Sequence, residues 1–320
     1  MSHILVTGAS GFVGSPTVRA LADVGHHVRA AVRRSGSTFG PGVEVVQHPD
    51  LTETVDWRPL LDGIDQVVHL AGIAHTRGVH PSLYDRVNHQ ATAQLAHAAA
   101  QAGVRQFVFI SSIGAQCGPA ADHAVTERDQ PAPIGAYGGS KLAAEVAVRA
   151  SGVPFTILRP VALYGPGVKG NFKLLARAAA SLLPLPVKDF GNRRSLLGID
   201  NFISALNFVL ATPATLGETY VVADPGIPPR LADVISTLRK ERRRWPLILP
   251  MPTDYVQIPL RLIRRSDMWD RIGGNLRVDP GKLIDAGWHP VHDTITGLKA
   301  MAQAATPRKS GTASSQGHGQ

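Results

Sequence analysis

Short, predominantly apolar, strand-like runs fall along the first half of the chain, at positions 4–6, 28–32, 43–47, 66–70, 106–111 and 155–159. Runs that do not alternate with polar residues mark strands buried on both faces, as in a parallel sheet. Stretches of helical pattern lie between them, at 16–24, 88–102 and 137–151. Each is followed at once by a glycine (Gly25, Gly103, Gly152), the usual helix stop. The alternation predicts an α/β fold with a doubly wound parallel sheet. The second half is less regular, with a strand expected at 220–223 and a helix at 231–240. The expected organisation is a nucleotide-binding domain over 1–165 and a smaller, discontinuous substrate-binding region over 166–302. A segment of that region, about 195–223, returns to the first domain. The small, polar stretch 303–320 reads as a disordered tail.

The first apolar run ends in "TGASGFVG", residues 7–14, where Gly8, Gly11 and Gly14 recur at three-residue spacing. A glycine triplet alone is a weak signal, but this one follows a strand and opens a helix. There the backbone can approach a pyrophosphate, and the helix N-terminus favours negative charge. Sites for NAD usually place a carboxylate at the end of the second strand to bond the ribose 2′-hydroxyl. Here that strand reads "VRAAVRR"; Val32 stands at the expected position and Arg33 and Arg34 follow. A cation can hold a 2′-phosphate, so the cofactor expectation is NAD(P), with NADP favoured over NAD. Asp50 and Leu51, after the third run, are candidates to meet the adenine.

A second pattern carries chemistry. In "GAYGGSKLAAE", residues 135–145, Tyr137 and Lys141 stand four apart at a helix start and share one face. Upstream, "VFISSIGA" ends a buried run at Ser111 and Ser112. Ligands in such sheets bind at the C-terminal ends of the strands, so Ser112, Tyr137 and Lys141 are expected to converge there. A free tyrosine titrates near pH ~10, and bringing it to neutrality takes roughly 4 kcal/mol. A nearby ammonium in a low-dielectric cleft is expected to supply much of that. Tyr137 would then exchange a proton with an alcohol oxygen while a hydride moves to or from the cofactor, and Ser112 would hold that oxygen.

Composition changes this picture little. The chain has 320 residues, 44% of them hydrophobic, a formal charge of +9 and one cysteine, Cys117. One cysteine forms no internal disulfide and fits a reducing compartment, so a cytoplasmic location is expected. No signal peptide and no apolar run long enough for a membrane span is visible. The positive charge invites nucleic acid, but no nucleic-acid module is present and none is expected as a partner. Residues 245–263 are apolar, proline-broken and flanked by arginines. They are expected to pack over a ligand cleft rather than insert stably into a membrane. His69 reads as a satisfied core histidine, Cys117 as a packed thiol, and Arg239–Arg244 as a solvated helix end. His75 and His80 have no partners at metal-ligand spacing, so no metal is expected.

These motifs, in this order, resemble the extended short-chain dehydrogenase/reductases of the nucleotide-sugar epimerase/dehydratase type, similar to UDP-glucose/galactose 4-epimerases, with a Rossmann-like sheet. The resemblance runs from Ile4 to about Met301. "TGASGFVG" resembles the family's TGxxGxxG turn and implies cofactor contacts at Gly8, Gly11, Phe12, Val13 and Gly14. "VVHLAG" (67–72) resembles the fourth-strand motif, with Leu70, Ala71 and Gly72 along the cofactor. Asn88 in "VNHQAT" stands at the family's structural asparagine. Tyr137 and Lys141 form its YxxxK pair, "LRPVALYGPG" (158–167) resembles the turn into the substrate cleft, and the resemblance implies that Asn88, Tyr137, Lys141 and Pro160 touch the cofactor. "RSLLGIDN" (194–201) implies that Arg194 binds nucleotide phosphates, "KGNF" (169–172) that Asn171 meets the nucleotide sugar, and "LIDAGWHP" (283–290) resembles the closing segment. The Asp-Glu pair of sugar 4,6-dehydratases is replaced by Ile113 and Gly114, which argues against water elimination. The resemblance therefore implies oxidoreduction at C4 of a UDP-sugar, as 4-epimerase or 4-keto reductase, in cell-surface polysaccharide biosynthesis, and by analogy a homodimer. Two alternatives stay open: an NADPH reductase of small carbonyls, of the dihydroflavonol type, and a non-catalytic cofactor-binding protein.

Overall fold

The computed structural model describes residues 1–34, 36–74, 78–168, 170–185, 187–242, 245, 248–250 and 274–304. Seven strands form the main sheet: β1 (His3–Thr7), β2 (His27–Val32), β3 (Val43–Gln47), β4 (Gln66–His69), β5 (Gln106–Ile110), β6 (Phe155–Pro160) and β7 (Thr219–Val222). Their spatial order is β7-β6-β5-β4-β1-β2-β3, and every neighbouring pair is parallel. The chain thus winds outward from β1 in one direction and from β4 in the other. The crevice above the C-terminal ends of β1 and β4 is the switch point at which such sheets take ligands.

Side chains on alternate faces of the central strands feed two separate cores. Ile4 and Val6 join Val18 and Leu21 of helix α1 (Gly14–Asp23), with Phe202 and Leu206 from the helix Ile199–Ala211. Leu5 points the other way, into a core with Leu95 and Ala99 of α2 (Ala91–Gln101) and Ala144 and Val148 of α3 (Gly135–Ala150). Full burial of such side chains stabilises by about 1.5–3 kcal/mol each. The helix stops work as the sequence predicts: Gly25, Gly103 and Gly152 all have φ between 71° and 92°, a region costly for any residue with a Cβ.

A third, smaller core joins Tyr164 and Leu196 to Val234 and Leu238 of the helix Leu231–Glu241 and to Leu298 and Met301 of the helix Thr294–Ala304. Its polar clasp is Asp224. That carboxylate accepts the Tyr164 hydroxyl at 2.8 Å, the Gly198 N–H at 2.8 Å and the Asn201 amide at 2.7 Å. Asn201 also bonds the His292 carbonyl, which holds the C-terminal segment against the sheet.

Some expectations need correction. The helix expected from residue 88 begins earlier, with Pro81–Tyr84 and a π-turn, Asp85–Gln90, ahead of α2. His80 caps it, and Pro81 suits the first turn because it has no N–H to leave unbonded. The Arg239 side chain is buried, not solvated, because it follows Ile235 and Leu238 on the inner face; its guanidinium donates to the Leu183 carbonyl. Arg243 and Arg244 lie outside the described residues. The helix Thr294–Ala304 reaches into the stretch expected to be a tail, where the Gln303 amide bonds Glu241. The rest of that stretch lies outside the described residues, as does most of 245–263. Trp245 is described and is exposed.

Candidate active site

The glycine turn crosses from β1 to α1 beside the end of β4. A Cβ on Gly8, whose φ is 68°, would sit 2.8 Å from the Ala71 amide nitrogen. One on Gly14 would stand 2.2 Å from the Gly8 carbonyl oxygen. These two glycines are therefore required by contact between backbones. The tight turn delivers the N-terminus of α1 to the crevice. No side chain caps that helix end and its first turn holds no acid, so its electropositive end suits a phosphate. This donor set fits the diphosphate of a dinucleotide. Phe12 and Val13 are half-buried; a Cβ on Gly165 would lie 3.9 Å from the Phe12 ring, so the "LYGPG" turn closes over the same region.

The residues expected at the adenosine end lie past β2 and β3. Arg33 and Arg34 are exposed just past β2. Asp50 is exposed too; the Thr52 amide bonds its carboxylate and, with weaker help from Arg33, holds it below the usual range. Leu51 is buried in the core with Val55 and Trp57. Ala71 is buried, Leu70 half-buried, Gly72 exposed, and Pro160 closes β6 in register with Val222.

The three chemical residues converge from two elements. Ser112 has extended backbone and caps the short helix Ile113–Gln116, its hydroxyl accepting the Gly114 N–H at 3.1 Å. The same hydroxyl bonds the phenol of Tyr137. α3 comes this close because Gly138 has no side chain: a Cβ there would lie 2.3 Å from the Gly114 carbonyl oxygen. One turn on, the buried Lys141 ammonium donates to the Ile110 carbonyl at 2.8 Å and lies 4.4 Å from the centre of the Phe109 ring. Asn88, presented by the π-turn, pairs both ways with the Ile73 backbone and donates to Ser140 at 3.1 Å. Ser140 in turn donates to the Tyr137 carbonyl at 2.8 Å. Tyr84 meets the Tyr137 ring edge-on, with centroids 6.1 Å apart.

The electrostatics depart from the simple expectation that Lys141 draws the Tyr137 phenol downward. Burial is the largest influence on Tyr137 and raises its pKa; the Ser112 hydrogen bond opposes it. Burial also acts on the lysine, lowering the Lys141 ammonium from 10.5 to about 7 against a weaker upward pull from Glu145. A buried cation pays for its own desolvation before it can help a neighbour.

Around this core the structure adds residues that carry no motif in the sequence. Glu145, one turn after Lys141, forms a buried ion pair with Arg159 and accepts the Ser111 hydroxyl at 2.5 Å. Arg159 also bonds Gln116, so the pair brackets both ends of the segment that carries Ser112. A lone acid inside an apolar helix face is the one signal of it in the sequence. Gly138 and Ser140, both within "YGGSK", become legible only once the partner backbone is known. Arg194 lies off this centre, its guanidinium donating to the carbonyls of Pro119 at 3.0 Å and Gly274 at 3.1 Å. Pro119 follows the Ser112 turn closely in the chain, and half-buried Cys117 lies between them. The Asn171 side chain and His75 lie outside what is described.

Comparison with known proteins gives a consistent family. The model of the "NAD dependent epimerase/dehydratase family" matches residues 4–223. A UDP-glucose 4-epimerase of Vibrio cholerae is 32% identical over 318 residues, spanning 94% of this chain and 94% of that protein. A ceramide reductase of Caulobacter vibrioides is 33% identical over 269 residues, 82% of this chain and 74% of that one. The crystal structure of a UDP-glucuronic acid 4-epimerase from Bacillus cereus in complex with NAD shares the fold. Its TM-score is 0.76 at 24% identity, and the match covers 94% of this chain and 97% of that one.

Proposed function

The chain belongs to the NAD-dependent epimerase/dehydratase family of extended short-chain dehydrogenases/reductases, and on that premise we propose that it carries out oxidoreduction at C4 of a UDP-sugar, as a 4-epimerase. The observation that carries this reading is the Ser112–Tyr137 hydrogen bond with Lys141 one helical turn on, set beside the glycine turn at the switch point of the sheet. The likeness to the V. cholerae enzyme over nearly the whole chain supports the substrate class. A 4-keto reductase would use the same residues and differ only in consuming a reductant.

In this reading Gly8, Gly11 and the α1 N-terminus would hold the diphosphate of NAD(P), and Arg33 would take a 2′-phosphate, which makes NADP the preferred form. A dinucleotide held there would supply the acceptor and donor of the hydride at C4. Ser112 orients the sugar oxygen, and Tyr137 moves the proton on it as acid or base. Lys141 steadies the ionised phenol while it remains charged, and Asn88 and Ser140 fix the first turn of α3. Replacing Tyr137 by phenylalanine should lower kcat by about a hundredfold or more, the worth of a positioned acid–base group. Cofactor affinity should stay within about twofold. A Tyr137→Phe enzyme with wild-type kcat would remove the phenol from the mechanism.

A second reading, an NADPH-dependent reductase acting on a carbonyl without a diphosphate, draws on the ceramide reductase likeness. Arg194 separates the two. If it meets the nucleotide diphosphate, Arg194→Ala should raise the KM for a UDP-sugar about tenfold, the range for a charge-assisted hydrogen bond, with kcat kept. An unchanged KM favours the second reading.

A further inference from the structure

His69, the last residue of β4, is fully buried, with its ring against those of Phe107 and Phe109. Both ring nitrogens are bonded: Nδ1 to the Thr7 hydroxyl at 2.7 Å and Nε2 to the Thr92 hydroxyl at 2.8 Å. Proton counting fixes each direction. The Thr92 hydroxyl donates its one hydrogen to the Asn88 carbonyl at 2.7 Å, so it must accept from His69 Nε2–H. Nδ1 is then the acceptor, and Thr7 donates to it. The Thr7 oxygen is left to accept the Ala71 N–H at 3.2 Å. Burial and the Lys141 charge hold the imidazole down to about 3, so it stays neutral and keeps this tautomer at every working pH.

The chain of bonds does not stop at Asn88. Its side chain donates to Ser140, and Ser140 donates to the Tyr137 carbonyl. A continuous buried path therefore runs from Thr7 and Ala71, which flank the glycine turn, to the backbone of Tyr137. We propose that His69 is a positioning residue: as its neutral Nε2–H tautomer it locks the cofactor turn and the Tyr137 helix into one register. The proposal rests on Tyr137 as acid and base only for its kinetic consequence; the coupling itself is readable in cofactor binding. Thr92 lies on the α2 side of the path and is not itself among the expected cofactor contacts. A change at Thr92 should nevertheless be felt there.

The test uses the chain in five forms: wild type, Thr92→Val, Thr92→Ser, Thr7→Val and the double variant Thr7→Val/Thr92→Val, the last two completing the cycle. Cofactor Kd is measured by fluorescence titration with NADH and NADPH, beside kcat and KM for a UDP-hexose. Thr92→Val, which keeps the shape and loses the hydroxyl, should weaken cofactor binding and lower kcat, each about fivefold or more, as for a buried group left without its partner. Thr92→Ser should restore both. The double variant should bind cofactor no worse than the weaker single one, because both changes cut the same path. Wild-type Kd in Thr92→Val, or fully additive losses, would overturn the proposal. A Thr92→Val protein that loses cofactor affinity with no measurable turnover in any form would leave the coupling standing and sink the UDP-sugar reading instead.

Discussion

Replacing Lys141 with methionine removes a buried charge while keeping the length and apolar stem of the side chain, and its consequence can be worked from the titration of that lysine. In the folded protein the ammonium loses its proton at about 7, against 10.5 for the exposed group, chiefly because burial penalises the cation. Between these two values the unfolded chain holds a proton that the folded chain has released. Stability must therefore rise with pH across that window. Below pH 7 both states are protonated and the full penalty applies, about 5 kcal/mol at 1.36 per unit. From pH 7 to pH 9 the penalty falls by about 2 kcal/mol. Urea unfolding of wild type and Lys141→Met at both pH values isolates this contribution, since the shifts at Cys117 and other shared groups cancel in the difference. The variant should be the more stable at pH 7, and its advantage should shrink by about 2 kcal/mol at pH 9. An advantage that does not change with pH would mean that Lys141 keeps an ordinary pKa and that its burial is compensated in some other way.

Three further outcomes are expected. Gly14→Ala should cost cofactor affinity about tenfold or more by overpacking the turn, read by titration, because its Cβ would stand 2.2 Å from the Gly8 carbonyl; unchanged affinity would show that the turn yields freely. Arg33→Ala should weaken NADP about tenfold and NAD less than about twofold, and equal losses would count against a 2′-phosphate contact. Glu145→Ala leaves Arg159 buried without its partner and should lower unfolding stability by about 3–5 kcal/mol. A loss under about 1 kcal/mol would mean that the pair is solvated in solution.

The sheet is legible in the sequence because its central strands are buried on both faces, and burial of that kind leaves unbroken apolar runs such as 107–110. The glycine turn is legible because its residues answer a backbone constraint that a side chain would violate. The helix Ile199–Ala211 is harder to see: its inner face carries Phe202, Leu206 and Val209, but its start lies inside "RSLLGIDN", where a short strand runs straight into it with no polar break. The π-turn at Asp85–Gln90 cannot be read, since one extra residue in a turn leaves no periodic trace. At the site, the types and order of Ser112, Tyr137 and Lys141 are visible from spacing. Their protonation is not, because the desolvation of Lys141 depends on what surrounds it: Phe109, the Ile110 carbonyl and the Glu145–Arg159 pair. The path through His69 likewise joins residues far apart in sequence, and only the folded chain brings Thr7, His69 and Thr92 into line.

The most direct test of the central claim is to incubate the purified protein with UDP-glucose, and in parallel with UDP-N-acetylglucosamine and UDP-glucuronic acid, adding a catalytic amount of NAD+ or NADP+ and no reductant, and to resolve the C4 epimers by chromatography. C4 epimerisation of at least one of these sugars, absent in Tyr137→Phe, is the expected result. No change at C4 in any of them, together with NADPH consumption on a carbonyl compound that carries no nucleotide, would contradict it.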